Sequence, residues 1–200
     1  MTKCKECQQD DVYIHFGEEK LCLACYNVRM EKQFGVAATS YPEGVVIRDG
    51  KGEVRHFLLR KRMDLLGIFM EAKEMTEGGY EFNIQDDLYS DQGELLLRLI
   101  AKAERGMAEI YVERRTFPNG QNYNSIRNDR LAGRIDSNLT DERLPLLAIN
   151  GKAYTWEEVG RMLMGYKRFQ VKLEMLDSYE EIVWEENEVH HFWNQEEEKV

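Results

Sequence analysis

Cys4-Lys5-Glu6-Cys7, fourteen residues, then Cys22-Leu23-Ala24-Cys25 running into Tyr26-Asn27-Val28-Arg29-Met30-Glu31-Lys32-Gln33-Phe34: this stretch decides how the chain starts to fold. A Cys-x-x-Cys loop turns tightly enough to aim both sulfurs at one point. Two such loops place four thiolates where they close a tetrahedron around one soft divalent ion. Residues 26–200 contain no cysteine, so the four form a set. Between the pairs, Val12-Tyr13-Ile14-His15-Phe16 reads as a strand, Gly17-Glu18 as a turn and Lys20-Leu21 as the return. Tyr26, Met30 and Phe34 then recur on one helix face. A segment this small cannot bury a core of its own, so a metal is expected to fold it.

Knuckle, hairpin, knuckle, helix is the order of a treble-clef zinc finger. Residues 1–36 resemble that family, and more loosely the zinc-ribbon and GATA-type fingers. The resemblance implies one structural Zn2+ per chain, held by Cys4, Cys7, Cys22 and Cys25. Iron in a rubredoxin-like site fits less well, since such sites usually carry Pro and Gly where this chain has Leu23-Ala24. With four thiolates present, His15 reads as a surface or packing residue. GATA fingers bind DNA, but the charges here oppose it. Lys3, Lys5, Lys20, Arg29 and Lys32 stand against Glu6, Asp10, Asp11, Glu18, Glu19 and Glu31, and a divalent ion cancels only half of four thiolate charges. Phosphate is not drawn to such a surface. Protein contact is the more natural role.

The chain of 200 residues is long enough for one ordinary domain beside this small module. No run approaches the roughly 18 apolar residues of a membrane span, and Met1-Thr2-Lys3-Cys4-Lys5 opens no signal peptide. A cytosolic location is expected, where a double knuckle means metal rather than disulfides. Of the net charge of −10, residues 177–200 carry −8. The rest is nearly neutral and lacks the basic footprint of a general nucleic-acid binder.

After a linker over 35–40, residues 41–176 predict an α+β body. Val45-Val46-Ile47 meets Asp49-Gly50-Lys51-Gly52, a hairpin signal, and returns from Glu53 to about Arg60. Leu65 to Ala72 and Tyr80 to Ile84 read as further strands of an antiparallel meander of about four. A helix capped by Asp91 follows, with an apolar stripe of Leu96, Leu99, Ile100, Ala103, Met107, Ile110 and Tyr111, widened by Leu95 and Leu97. Leu146 to Ile149, Asn150-Gly151, and Lys152 to Tyr154 make a second hairpin. Thr155-Trp156-Glu157-Glu158 is a capping box for a helix through Trp156, Val159, Leu163 and Tyr166. Phe169, Val171, Leu173 and Met175 alternate as a strand. This half resembles uncharacterised bacterial proteins, a likeness that brings no activity with it.

Residues 114–136 read as a long polar loop with a local charge of +3. Its Arg114, Arg115, Arg127, Arg130 and Arg134, with Arg60 and Arg62 from a second basic run that includes Arg55, His56 and Lys61, are candidate anion ligands. The alternative is that they pair with the protein's own acids. The tail, 177–200, mixes acids with Ile182, Val183, Trp184, Val189, Phe192 and Trp193 and is expected to dock, on its own body or on a partner. It could also cover the positive loop. His190-His191 point apart and are discounted as ligands. No Walker loop, dinucleotide glycine pattern, nucleophile elbow or His-Glu-x-x-His is present. The leading expectation is a zinc protein acting by protein–protein contact, a regulator or adaptor. A nucleotide- or RNA-binding protein using 114–134 is the alternative, and a hydrolase with unmarked carboxylates the third.

Overall fold

The structure, a computed structural model, describes residues 2–184. Strand β1 (Ile14–Phe16) pairs antiparallel with β2 (Glu19–Leu21) across Gly17, whose φ of 62° makes the turn. Helix α1 (Leu23–Phe34) follows at once and buries Tyr26 and Met30. It stops at Gly35, which is left-handed and donates its N–H to Glu31 O.

The expected meander is present: β3 (Gly44–Arg48), β4 (Val54–Asp64), β5 (Gly67–Glu74) and β6 (Glu81–Asp86) lie in sequence order, all antiparallel. The third strand starts at Gly67 rather than Leu65, because Leu65-Leu66 is itself the turn between the paired Asp64 and Gly67. Alternation sends Phe57, Leu59, Lys61 and Met63 of β4 to the inner face, opposite Glu74, Ala72, Met70 and Ile68 of β5.

Helix α2 (Gln92–Ala108) covers that face with Leu95, Leu99, Ala103 and Met107. The Asp91 carboxylate accepts the N–H groups of Gly93 and Glu94 and caps it as expected. Leu97 is exposed, so the apolar stripe is narrower than the sequence suggests. At its far end Gly50, in the β3–β4 turn, donates to Met107 O, and a Cβ there would sit 2.6 Å from Ala108 O. Helix α1 packs on β4 beside it. Cysteine module, sheet and α2 therefore share one core.

The second half has its own core of Tyr111, Val112, Ile126, Ile149, Tyr154, Val159 and Met162. The stretch 114–136 is not a loop. Strands β7 (Val112–Thr116) and β8 (Asn122–Ile126) form a hairpin, and β9 (Arg134–Asp136) joins a sheet. Only the paired Val112 and Ile126 are buried in the hairpin, so no apolar alternation betrays it. Strands β10 (Leu146–Ile149) and β11 (Lys152–Tyr154) complete the three-stranded sheet, ordered β11-β10-β9. Asn150 and Gly151 turn between them with φ of 49° and 71°. Helix α3 (Trp156–Leu163) carries the full capping box of Thr155 and Glu158 and runs into a 3-10 turn, Met164–Tyr166. The strand expected over Phe169–Met175 is absent: these residues have no sheet partner among the described residues, and their apolar side chains are exposed.

A polar seam joins the halves. Asn150 accepts the N–H groups of Tyr111 (2.8 Å) and Val112 (3.1 Å) and donates to Glu109 O (2.8 Å). Arg134 holds Asp136 and reaches Gly79 O and Glu81. Gly78 lies so close to β11 that a Cβ would meet Ala153 N at 2.1 Å. The start of the tail docks on the body. Tyr179 sets its ring edge-on to Phe69, Lys102 Nζ donates to Asn83 O and Tyr179 O at 2.8 Å each, and Glu181 pairs with Arg105. Val189, Phe192, Trp193, His190-His191 and the acidic end lie outside the described residues. Among those described, no helix is long and apolar enough to cross a membrane.

Candidate metal centre

The four cysteines come together as the spacing requires. Their sulfurs all lie within 4.8 Å of one another, Cys7 Sγ stands 3.8 Å from Cys22 Sγ, and none is in a disulfide. A tetrahedron with bonds of about 2.3 Å has edges of about 3.8 Å, so a thiolate-bound divalent ion fits the gap.

Local backbone builds the cluster. In the first knuckle Gln8 takes a positive φ of 59° and donates its N–H to Cys4 O, while Cys4 N donates to Asp10 O. In the second, Cys22 is the N-cap of α1 and its sulfur accepts the Cys25 N–H. Lys5 N bonds Lys20 O, tying the first knuckle to the hairpin. Cys4 and Cys22 are buried and Cys7 and Cys25 half-buried, so the cluster is closed on its inner side.

The surroundings push the thiols in different directions. Burial pushes Cys4 up, but backbone hydrogen bonds from Cys22, Cys7 and Glu6 outweigh it and bring the thiol down to about 6. Burial pushes Cys25 well up, with hydrogen bonds to Cys22, Cys4 and Cys7 adding to it, and burial raises Cys22 too. A cation among the sulfurs would favour their ionised forms.

Three of the module's five bases are spent on its own acids: Arg29 spans Glu6 and Glu19, Lys5 also meets Glu19, and Lys3 meets Asp11. His15 is exposed and outside the cluster.

Asn27, on the buried side of α1, fixes the module to the sheet. Its Nδ2 donates to Lys61 O (2.7 Å) and its Oδ1 accepts the Met63 N–H (3.1 Å). Beside it Lys61 points into the core, 1 % exposed. Its ammonium donates to Thr39 O (2.5 Å) and Gln92 Oε1 (2.6 Å) and faces the Tyr41 ring. Gln92 in turn holds Ala37 O and Thr39 N, so the linker after α1 is stitched to β4 and α2. Burial lowers Lys61 to about 8, against the pull of Glu31. The sequence reading grouped Lys61 with Arg60 and Arg62. Alternation separates them, because neighbouring strand residues face opposite sides.

Most of the candidate anion-binding arginines meet partners within the protein itself. Arg60 lies over Tyr13 and 3.7 Å from Glu71. Arg62 lies over Phe69, its Nε 3.2 Å from Asp64 but turned so that it makes no hydrogen bond. Arg115 pairs with Glu113, Arg134 with Asp136 and Glu81, and Arg130 stacks on Trp184, whose Nε1 donates to Tyr111 OH. Arg114 and Arg127 are exposed and pair with no acid among the described residues. The buried carboxylates of Asp49 and Glu74 both bind Arg55, and its guanidinium with two backbone donors outweighs burial to hold Asp49 below the usual range.

Three family models match the chain, each a domain of unknown function: DUF7685 over residues 3–37, DUF7686 over 39–108 and DUF7713 over 111–180. The matched stretches change just after α1 and just after α2. No curated protein and no solved structure matches the chain.

Proposed function

We propose that this is a cytoplasmic zinc protein of the treble-clef type that works by binding another protein, as a regulator or adaptor. The observation that carries the reading is a groove of about 600 Å3 where the cysteine module meets the sheet. Phe34 from the end of α1, Leu65 and Leu66 from the β4–β5 turn, and Leu88 and Tyr89 from the loop before α2 line it. Leu65, Leu66 and Tyr89 are 79, 75 and 81 % exposed. A two-residue turn of leucines in water is what a protein-binding surface looks like before its partner arrives. The metal module supplies one wall, so the metal's role is structural. Zinc is the ion that four thiolates at a closed site prefer, and thiols kept for metal suit a reducing compartment. Elemental analysis should find about one zinc per chain. A nuclease-treated pull-down from native lysate tests the contact. A stoichiometric protein held by the natural chain and lost on Leu65→Ser with Leu66→Ser is expected. Equal capture by both chains would defeat the reading.

A second reading, nucleotide or RNA binding, rests on the β7–β8 hairpin. Phe117 and Tyr123 stack at its turn with centroids 4.0 Å apart, β7 carries the exposed Arg114, and Arg127 follows β8. It requires an affinity for single-stranded RNA that falls with salt and with Arg114→Ala and Arg127→Ala. A salt-independent or absent signal removes it.

A further inference from the structure

Residues 167–176 have the pattern of a strand and none of its partners among the described residues. Phe169, Val171, Leu173 and Met175 alternate with polar residues, as on a sheet with one covered face. Yet they are 70, 74, 70 and 69 % exposed. The main chain is equally bare: from 170 to 176 no peptide group makes a backbone hydrogen bond with a described residue. Lys172 and Glu174 lie on the other face, 3.5 Å apart, as i and i+2 do in an extended chain.

The segment is pinned on both sides. Upstream, Phe169 packs edge-on against Tyr166, whose hydroxyl bonds Asp129. Downstream, Lys102 holds Tyr179 and Arg105 holds Glu181. A stretch anchored at each end, with its peptide groups unpaired among the described residues and its apolar side exposed, is an edge awaiting another strand.

We propose that this strand pairs antiparallel with the same strand of a second copy, forming a two-fold dimer centred on Leu173. Charge selects that register. With Leu173 opposite its counterpart, Val171 of each copy faces Met175 of the other, and Lys172 of each faces Glu174 of the other. Centring on Lys172 or on Glu174 would set like charges face to face, and centring on Val171 would leave Lys172 opposite Gln170. In the chosen register the sequence is complementary to itself, as an isologous contact demands. Leu163 and Met164, exposed at the end of α3 just upstream, add apolar surface to cover the ribbon.

Sedimentation of the zinc-loaded full chain over a concentration series tests this. A monomer–dimer equilibrium is expected, weakened about tenfold by Lys172→Glu and likewise by Glu174→Lys. Mixing the two variants should restore the natural affinity, because their reversed faces complement each other. Both side chains are largely exposed, so neither change unfolds the chain. A chain monomeric throughout, a dimer indifferent to both changes, or a loss that mixing fails to rescue would each overturn the proposal. The leucine-lined groove is a different surface, so partner capture and dimerisation can fail separately.

Discussion

Lys61 shows what one residue's placement costs and what it does. A lysine on the inner face of a sheet loses hydration, and two carbonyl-type oxygens and a tyrosine ring offset part of that loss. Its folded value of about 8 lies below the ordinary 10.5. Between those values the unfolded chain keeps a proton the folded one has released, so stability rises with pH across that window. Below the window the charged ammonium is a constant burden. The rise amounts to at most about 3 kcal/mol. Denaturant titrations at pH 8 and 10 should show it in the natural chain and not in Lys61→Met; parallel behaviour would refute it. Asn150 is the opposite case, a polar side chain with every group used. Asn150→Ala strands two N–H groups and a carbonyl and keeps a positive φ that alanine resists, so a loss of about 2–3 kcal/mol in equilibrium unfolding is expected. The cysteines were legible because their spacing is already the geometry. Lys61 was not, because a lysine flanked by two arginines reads as a basic patch until the strand's alternation is applied to it.

Elements with an apolar rhythm were legible and those without one were not. The four-stranded meander and α2 follow from alternation and a 3.6-residue stripe. The β7–β8 hairpin, buried only at Val112 and Ile126, offers no rhythm to find. The segment around Leu173 has the rhythm without the sheet, since a pattern records what a strand can pair with and not whether the partner lies in the same chain. Helix α1 depends on the cysteines at its first turn, where Cys22 is both cap and candidate ligand. Chelation, or Cys22→Ser, should therefore release α1. Hydrogen exchange would report it as lost protection over Leu23–Phe34, and at Met63, whose N–H has Asn27 as acceptor. Protection unchanged after metal removal would show that packing alone holds the helix.

At the scale of the whole molecule, two cores meet at a seam of polar contacts and close glycines. Gly78 is the tightest point: φ is 67° and β11 leaves no room for a Cβ. Gly78→Ala should push the halves apart, costing about 2 kcal/mol or more and splitting one calorimetric transition into two. A single, unshifted transition would show that the seam does not couple the cores. None of this seam is visible in the sequence, nor is the docking of the module on β4, because both depend on side chains reaching main-chain groups far along the chain.

That docking also fixes an order in time. Asn27 is synthesised 34 residues before Lys61, whose carbonyl it must bind. At roughly 5–20 residues per second the ribosome needs about 2–7 s to deliver the strand. Throughout that interval the nascent helix has no sheet to lean on, only its hairpin and its cysteines. An ion bound at the cysteines during translation, rather than afterwards, would let β4 emerge to find a surface already shaped to receive it.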